Sequence, residues 1–349
     1  MGKTVTIDGS QGEGGGQILR TSLALSALTG KELEIFNVRA GRSKPGLRPQ
    51  HLQAVKAAAA ICRAEVSGAD IGSQTIRFVP GRVRAGDYRL DIGTAGSTSL
   101  VLHTVYLPLA LSAEGPSRVT ITGGTHVPMA PCFHYLDAQW RHFLERLGLR
   151  ILLRMKGAGY YPRGGGEITA AIRPAEHVNT LTISDRGKLV RIIGISSVTG
   201  LPSSIAERQK KQAEQRLASV DCPVEIEIAD IAGVAQGTML LLLAEFEHSR
   251  ACYYGLGARG KRAEAVADEA ADQMLRLIGG AGHVDEHLAD QIILPLSAAR
   301  GTSSFITPAI NSHLLTNIEV IRKFLPAEID VEGKLDQEGK ITVIGSGGG

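Results

Sequence analysis

The sequence has little that stacks, spans or cross-links. Aromatic residues make up only 4% of its 349 positions, which gives poor support to the base-stacking surfaces of single-strand nucleic-acid binders. Its four cysteines, Cys62, Cys132, Cys222 and Cys252, include no C-x-x-C pair, so neither a zinc site nor a disulfide framework is suggested. Reduced thiols in a cytoplasmic protein are the expectation. The longest apolar run, Met239 to Ala244, is too short to cross a bilayer. A signal peptide's charged-then-apolar pattern is missing as well, because Lys3 to Asp8 already reads as a strand. Neither sign of charge dominates: 38 basic against 35 acidic residues leave a formal net charge of +3, too weak to identify a polyanion binder.

Glycine is what the chain has in excess. Its 42 glycines are about one residue in eight, against a usual ~7%. They cluster at strand-to-helix turns, where a positive φ or a close backbone approach is needed. Charge also gathers locally: Arg39, Arg42, Lys44 and Arg48 share one short segment. The final GSGGG, residues 346–349 included, reads as a flexible tail.

Hydropathy patterning predicts alternating strands and helices. A strand from Lys3 to Ile7 leads through the glycine turn Gly9 to Gly16 into a helix over Gln17 to Leu28, ended by Gly30. A strand at Glu34 to Val38, the basic loop Arg39 to Pro49, a helix from His51 to Arg63 and two short strands complete a unit. The same β-turn-α-β-loop-α-β-β order recurs from Tyr88 to Ile172, with helices at Thr98 to Ala113 and Phe133 to Leu147, at a period of roughly 80 residues. A third copy starts at Asn179 to Ile183 and resumes with helices at Val284 to Ala298 and Asn311 to Phe324. The intervening stretch reads as a separate, more polar α/β module. The expected fold is therefore α/β, with three βαβαββ-type repeats around one core and a small α/β domain inserted in the third. In residue numbers, 1–184 with 279–345 form the large body and 185–278 the insert.

Four segments carry candidate chemistry. The loop GSQGEGGGQILR, from Gly9 to Arg20, precedes a helix, where backbone N–H groups and the positive helix end suit an anion. It lacks the P-loop lysine and the dinucleotide-fold spacing. Glu13 amid the glycines suits a metal or a polar anchor better than a phosphate, and Arg20 lies one turn into the helix, able to reach a phosphate or to sit on the surface. In RAGRSKPGLRPQH, Arg39 and Arg42 flank a tight turn and offer forks for phosphate oxygens. His51 opens the next helix, where the dipole favours its neutral form. In HLADQIILP, Asp290 and Gln291 interrupt an apolar helix, a pattern that an exposed helix face also produces. In NSHLLTNIEVIRKFLP, His313 stands at a helix start, where a cap or surface residue is as compatible with the spacing as a nucleophile.

Together with GTHVPMAP and YPRGGGE, and in this order from Thr4 to Glu332, these segments resemble the RNA 3′-terminal phosphate cyclase family. The resemblance implies three repeats with an inserted α/β domain, and an ATP-dependent conversion of an RNA 3′-terminal phosphate to a 2′,3′-cyclic phosphate. It implies a histidine nucleophile at His313, which takes AMP from ATP with Mg²⁺ or Mn²⁺ and passes it to the RNA as an RNA(3′)pp(5′)A end. It places adenylate contacts on His287, Leu288, Ala289, Asp290 and Gln291, and the metal and triphosphate at Glu13. It assigns Arg20, Arg39, Arg42 and, with them, His51 to the RNA phosphate or the ATP phosphates. His103 stands where familiar bacterial members usually carry a glutamine that contacts ATP, and Ser312 where some carry cysteine. An RNA with a 3′-phosphate end is the expected partner, with no membrane association and either a monomer or a homodimer. Two other readings share parts of the pattern. The non-catalytic, ribosomal-RNA-processing branch of the family lacks the nucleophilic histidine, and an enolpyruvate transferase would need neither that histidine nor ATP.

Overall fold

A computed structural model describes residues 4–347. The expected start of the first strand at Lys3, and Gly348 and Gly349 of the expected tail, lie outside the described residues. The chain is a mixed α/β protein built on four small sheets.

The first sheet takes β-branched and apolar residues at alternate positions, as half-buried strands do. Strands β1 (Val5–Asp8) and β2 (Leu33–Phe36) flank helix α1 (Gly16–Thr29) and pair in parallel. Helix α2 (Pro49–Cys62) then leads to β3 (Glu65–Ser67) and β4 (Ile76–Val79), in the order β1-β2-β4-β3. Pro49 at the first turn of α2 forgoes an N–H that no helix start can pair. The second sheet repeats the order as β5-β6-β8-β7. Its members are β5 (Asp87–Asp91), β6 (Ser117–Gly123), β7 (Ile151–Gly157) and β8 (Gly166–Ile172), with β5 and β6 again parallel. Between them lie α3 (Thr98–Ser112) and a helical stretch made of α4 (Phe133–Tyr135), a π-helical turn Leu136–Trp140 and α5 (Arg141–Arg146).

The next segment holds the third sheet. Strands β9 (Leu189–Thr199), β10 (Val224–Asp230), β11 (Gly237–Phe246) and β12 (Arg250–Leu256) pair as β10-β9-β11-β12, with α6 (Ser204–Leu217) and α7 (Ala263–Gly279) across one face. The opposite face of β11 and β12, with Leu241, Leu243 and Cys252, joins the main core. Helix α8 (Glu286–Ser297), β13 (Arg300–Thr307), α9 (Ser312–Phe324), β14 (Glu328–Gly333) and β15 (Gly339–Ser346) close the chain as a sheet β13-β15-β14. Thr182 makes a parallel bridge to Ser304 on β13, so a trace of a parallel first strand precedes this sheet as well.

Helices from three of the sheets meet at α1, which packs against α2, α3 and α9. That explains its composition. Ile18, Leu19, Leu23 and Leu25 are joined in the interior by Thr21, Ser22, Ala24 and Ser26, because a helix covered on nearly all sides has no polar face to show. Small residues among the leucines let neighbouring backbones come close.

Several expectations need correction. The helix over Phe133 to Leu147 is not uniform, since the π-helical turn widens it by one hydrogen-bond register. Asn179 to Ile183 is reduced to the single bridge. Strand β12 was not anticipated: Ala251 and Tyr253 face one side and Cys252 the other, all buried, so no polar alternation marks it. The expected tail is anchored at its start. Ser346 ends β15 and its hydroxyl donates to Ser297 O, and Gly347 N–H donates to Ala299 O. Among the described residues no helix is long and apolar enough to cross a membrane.

One buried carboxylate ties three of these pieces together. Asp285 caps α8 by accepting from Leu288 N–H at 2.8 Å, and it accepts from Tyr135 Oη at 2.6 Å. It also accepts from Gln139 Nε2 at 2.8 Å and from Cys252 N–H at 3.3 Å. The π-helical stretch, β12 and α8 are thus held by one group. Asp285→Ala would strand a buried hydroxyl and amide and remove a cap. We expect a loss of about 3 kcal/mol in urea unfolding, with Asp285→Asn losing less because the capping oxygen remains. A parent-like midpoint for Asp285→Ala would contradict this role.

Candidate functional site

The site begins where α1 and α9 enter the molecule side by side. Gly12 has φ +57°, and a Cβ there would collide with the Thr316 hydroxyl, so α9 can sit against the loop only because position 12 is glycine. Thr316 Oγ1 in turn accepts from the backbone N–H of Glu13 at 3.4 Å. The first turn of α9 is fixed by Asn311, whose Oδ1 accepts from Leu314 N–H at 2.7 Å while its Nδ2 donates to Glu286 O at 3.1 Å. His313 therefore leaves a capped helix start directly opposite the glycine loop.

A chain of hydrogen bonds runs inward from it. Thr21 Oγ1 donates to Asn317 Oδ1 at 2.6 Å, and Asn317 Nδ2 donates to Asp290 Oδ1 at 2.5 Å. Gln17 Nε2 donates to the same Asp290 oxygen at 2.6 Å, and Gln17 Oε1 meets His313 Nδ1. On its other side His313 Nε2 lies 3.1 Å from Glu13 Oε2, which also accepts from Arg42 Nη2 at 3.1 Å. The imidazole is 39% exposed and the Glu13 carboxylate 11%.

His313 opens onto a cavity of about 540 Å³, within the range of small-molecule sites. Its lining includes the polar side chains of Gln17, Arg20, Asp290 and His313 and the aromatic ones of Tyr106, Tyr135 and Tyr254. His287 and Gln291 line the α8 wall, and His103 the α3 wall. Two atoms there are buried without a partner, His103 Nε2 and Gln291 Oε1. Such groups are costly unless something in the cavity completes them.

Electrostatics sort the basic groups. Burial lowers Arg20 to about 10, against the pull of Glu13 and Asp290, so it stays a cation. Burial pushes the His51 imidazole down to about 3, and the charges of Arg20, Arg39, Arg48 and Arg42 reinforce this. Four guanidinium groups thus surround a neutral ring, with His51 Nε2 and Arg20 Nη1 both packed over Gly16 at the start of α1. His103 falls to about 3 through burial, with Arg20 adding to it. Burial raises the Asp290 carboxyl, opposed by His313, Gln17, Asn317 and Arg20.

Of the residues singled out in the sequence, Arg20, His103, His287, Asp290, Gln291 and His313 meet at the cavity. Glu13, Arg42, Arg39 and His51 form an adjoining rim. Arg39 also shapes that rim, since its Nη1 donates to the carbonyls of Lys44 and Gly46. Leu288 and Ala289 are both 0% exposed, with side chains in the core, because α8 turns those two positions away from the cavity. Sequence reasoning missed Gln17, Thr21, Asn317 and the three tyrosines. Asn317 was within reach, one helical turn beyond His313 and hence on its face.

Among the described residues no group of three or more His, Cys, Asp or Glu side chains is arranged to hold a metal. Glu13 stands as a single carboxylate.

A family model described as RNA 3′-terminal phosphate cyclase matches residues 11–331. The RNA 3′-terminal phosphate cyclase of Methylococcus capsulatus is 45% identical over 333 residues, covering 93% of this chain and 92% of that relative. That of Pseudomonas fluorescens is also 45% identical, covering 95% and 96%. That of Salmonella enteritidis is 41% identical over 95% and 96%. Among solved structures, the enolpyruvyl transferase NikO from Streptomyces tendae aligns at TM-score 0.38 and 12% identity, over 99% of this chain and 49% of that one. That likeness is too remote to carry an argument.

The neutral His103 gives a pH prediction. Its folded value of about 3 lies below the ordinary 6.5, so unfolding takes up a proton in between. The stability it contributes is complete above pH 6.5 and is lost as pH falls toward 3. The parent should therefore lose more unfolding free energy across that window than His103→Gln, read by urea titrations at several pH values. Equal losses in the two proteins would contradict a buried neutral ring.

Proposed function

The chain belongs to the RNA 3′-terminal phosphate cyclase family, and on that premise we propose that it uses ATP to convert an RNA 3′-terminal phosphate to a 2′,3′-cyclic phosphate through an AMP adduct on His313. The observation that carries the reading is the His313 ring itself. It is held at Nδ1 by Gln17 and opens onto a cavity lined by the Arg20 cation and by three tyrosines.

In the first step the imidazole nitrogen forms a bond to the α-phosphorus of ATP and the bond to pyrophosphate breaks. In the second, an oxygen of the RNA 3′-phosphate attacks that phosphorus and the N–P bond breaks, leaving RNA(3′)pp(5′)A. In the third, the neighbouring 2′-OH gives up its proton to solvent, and its oxygen bonds to the RNA 3′-phosphorus as the bond to AMP breaks. A phosphoramidate suits such a relay, since it stores the activated phosphoryl group on a good leaving group.

The remaining residues divide by position. Arg20 lines the cavity, and Arg39, Arg42 and neutral His51 form the rim beside it. Their charge would draw in the RNA terminal phosphate and the triphosphate and offset charge in the transition state. The tyrosines, with His287, Gln291 and His103 on the walls, would receive the nucleoside. Asp290 is turned toward Gln17 and Asn317, so it acts on AMP through His313 rather than by contact.

Glu13 suits Mg²⁺ or Mn²⁺ only in the mode where substrate phosphates and water supply most ligands, since its Oε2 is shared by Arg42 and His313. A cation so held would neutralise phosphate charge. The contact of Nε2 with Glu13 must open for the nitrogen to face phosphorus.

We read residues 1–184 and 279–345 as one three-repeat body and 185–278 as an insert. Support comes from the matching strand order of the first two sheets, the bridge of Thr182 to β13, and the separate buried cluster between β9–β12 and α6–α7. Four free cysteines, three of them buried, accord with a cytoplasmic location.

Incubation with α-labelled ATP and a divalent metal should leave acid-labile, alkali-stable label on the parent and none on His313→Ala, which should also fail to cyclise a 3′-phosphate RNA. Undiminished labelling of His313→Ala would sink the reading.

A further inference from the structure

We propose that the loop over residues 160–165 is an RNA-binding lip, where Tyr161 stacks on a base and Arg163 meets a phosphate upstream of the last two nucleotides. The inference takes its ligand, a single RNA strand, from the cyclase reading. It adds where that strand runs once it has left the site.

Neither Tyr161 nor Arg163 lines the cavity, although both stand in the YPRGGGE segment. The loop is built to hold them outward. Tyr160 is buried, stacks on His126 with ring centroids 5.0 Å apart, and its carbonyl accepts from Gly164 N–H at 2.8 Å. Gly164 has φ +66°, and a Cβ there would lie 2.8 Å from Ala95 Cα, so its bare backbone fits against the turn before α3. Between these anchors Tyr161, Pro162 and Arg163 are exposed. Of the chain's Phe, Tyr and Trp side chains only Tyr161 and Phe36 are exposed, at 71% and 41%. Glu167, four residues beyond Arg163, pairs with Lys156 instead, at 3.7 Å, which leaves the guanidinium to solvent.

A strip of close contacts leads from the site to this lip. Arg42 packs over Gly15, and His51 with Arg20 over Gly16. Gln50, beside His51, accepts from Ser97 N–H at 2.6 Å and packs over Gly96. Ala95, beside Gly96, meets Gly164. Glycine stands at each crossing, so the loops raise no side chain there. Arg39, Arg42 and Arg48 lie close to His51 at the near end, and Arg163 lies at the far end. Asp91, the acid of the turn before α3, is taken up by Gly93 N–H at 2.9 Å. Such a strip attracts a polyanion. A strand following it sets phosphates on cations and one base on an aromatic ring. A single ring also agrees with the low aromatic content, since the lip grips one base rather than a run.

The test uses the full-length protein and two fluorescent RNAs ending in 3′-phosphate, a dinucleotide and a dodecamer, with Kd read by anisotropy. The parent should bind the dodecamer more tightly. Tyr161→Ala should weaken dodecamer binding about tenfold, the loss of one base stack, and leave the dinucleotide Kd in place. Tyr161→Phe should match the parent, because stacking needs the ring and not the hydroxyl. Arg163→Ala should lower the salt dependence of dodecamer binding, its log–log slope falling by about 0.7 for one phosphate contact on a single strand, while Arg163→Lys keeps the slope. A parent-like dodecamer Kd in both alanine variants would overturn the lip, and is the result expected if the loop receives a protein instead. Equal weakening of dinucleotide and dodecamer would also overturn it, since the loop would then act on the shape of the site. Binding is read without turnover, so a parent that takes no label from ATP strikes the cyclase reaction and leaves this test standing.

Discussion

The contact between Thr316 and the glycine loop sets the distance on which the site depends. With a side chain at position 12, α9 would be forced away from α1, and Thr316 could no longer reach the Glu13 N–H. His313, one turn earlier on α9, would then lose both Gln17 and Glu13. Every polar contact of the imidazole crosses this junction. The junction joins residues about 300 positions apart, so it exists only once the first and last sheets have brought their helices together. The nearly complete burial of α1 is its counterpart in the core, because a helix that receives three neighbours leaves none of its first turn free to drift.

Charge in the site is arranged so that neutral rings and permanent cations sit side by side. Burial keeps His51 and His103 neutral while the guanidinium groups around them remain charged. Neutral imidazoles add hydrogen-bonding capacity without competing for anions. The arginines supply a field that does not vary with physiological pH, which would suit the succession of phosphates in the proposed reaction. Glu13 is the counterweight. It links Arg42 on the rim to His313 at the cavity, so the two regions share one acidic group.

Much of this was legible in the sequence, and for definite reasons. Glycine turns and apolar periodicity marked β1, α1, α3 and α9 closely, because each follows local rules. The residues of the site could be chosen only through their order along the whole chain, since His313 by spacing alone is as good a helix cap as a nucleophile. Strand β12 escaped notice because both its faces are buried. Leu288 and Ala289 came with the stretch that the family resemblance assigns to adenylate, and a step of about 100° per residue carries their side chains to the core side. Gln17 was invisible for a different reason. A glutamine one residue into a helix carries no signal until His313 and Asp290 are seen on either side of it.

The central proposal is that His313, held at this junction, is the residue that takes up AMP. It is tested most directly on the adenylylated protein itself, prepared with ¹⁵N-histidine and examined by ³¹P NMR. The account predicts a phosphorus resonance split by one nitrogen of His313. Phosphorus bonded to any residue other than His313 would contradict it.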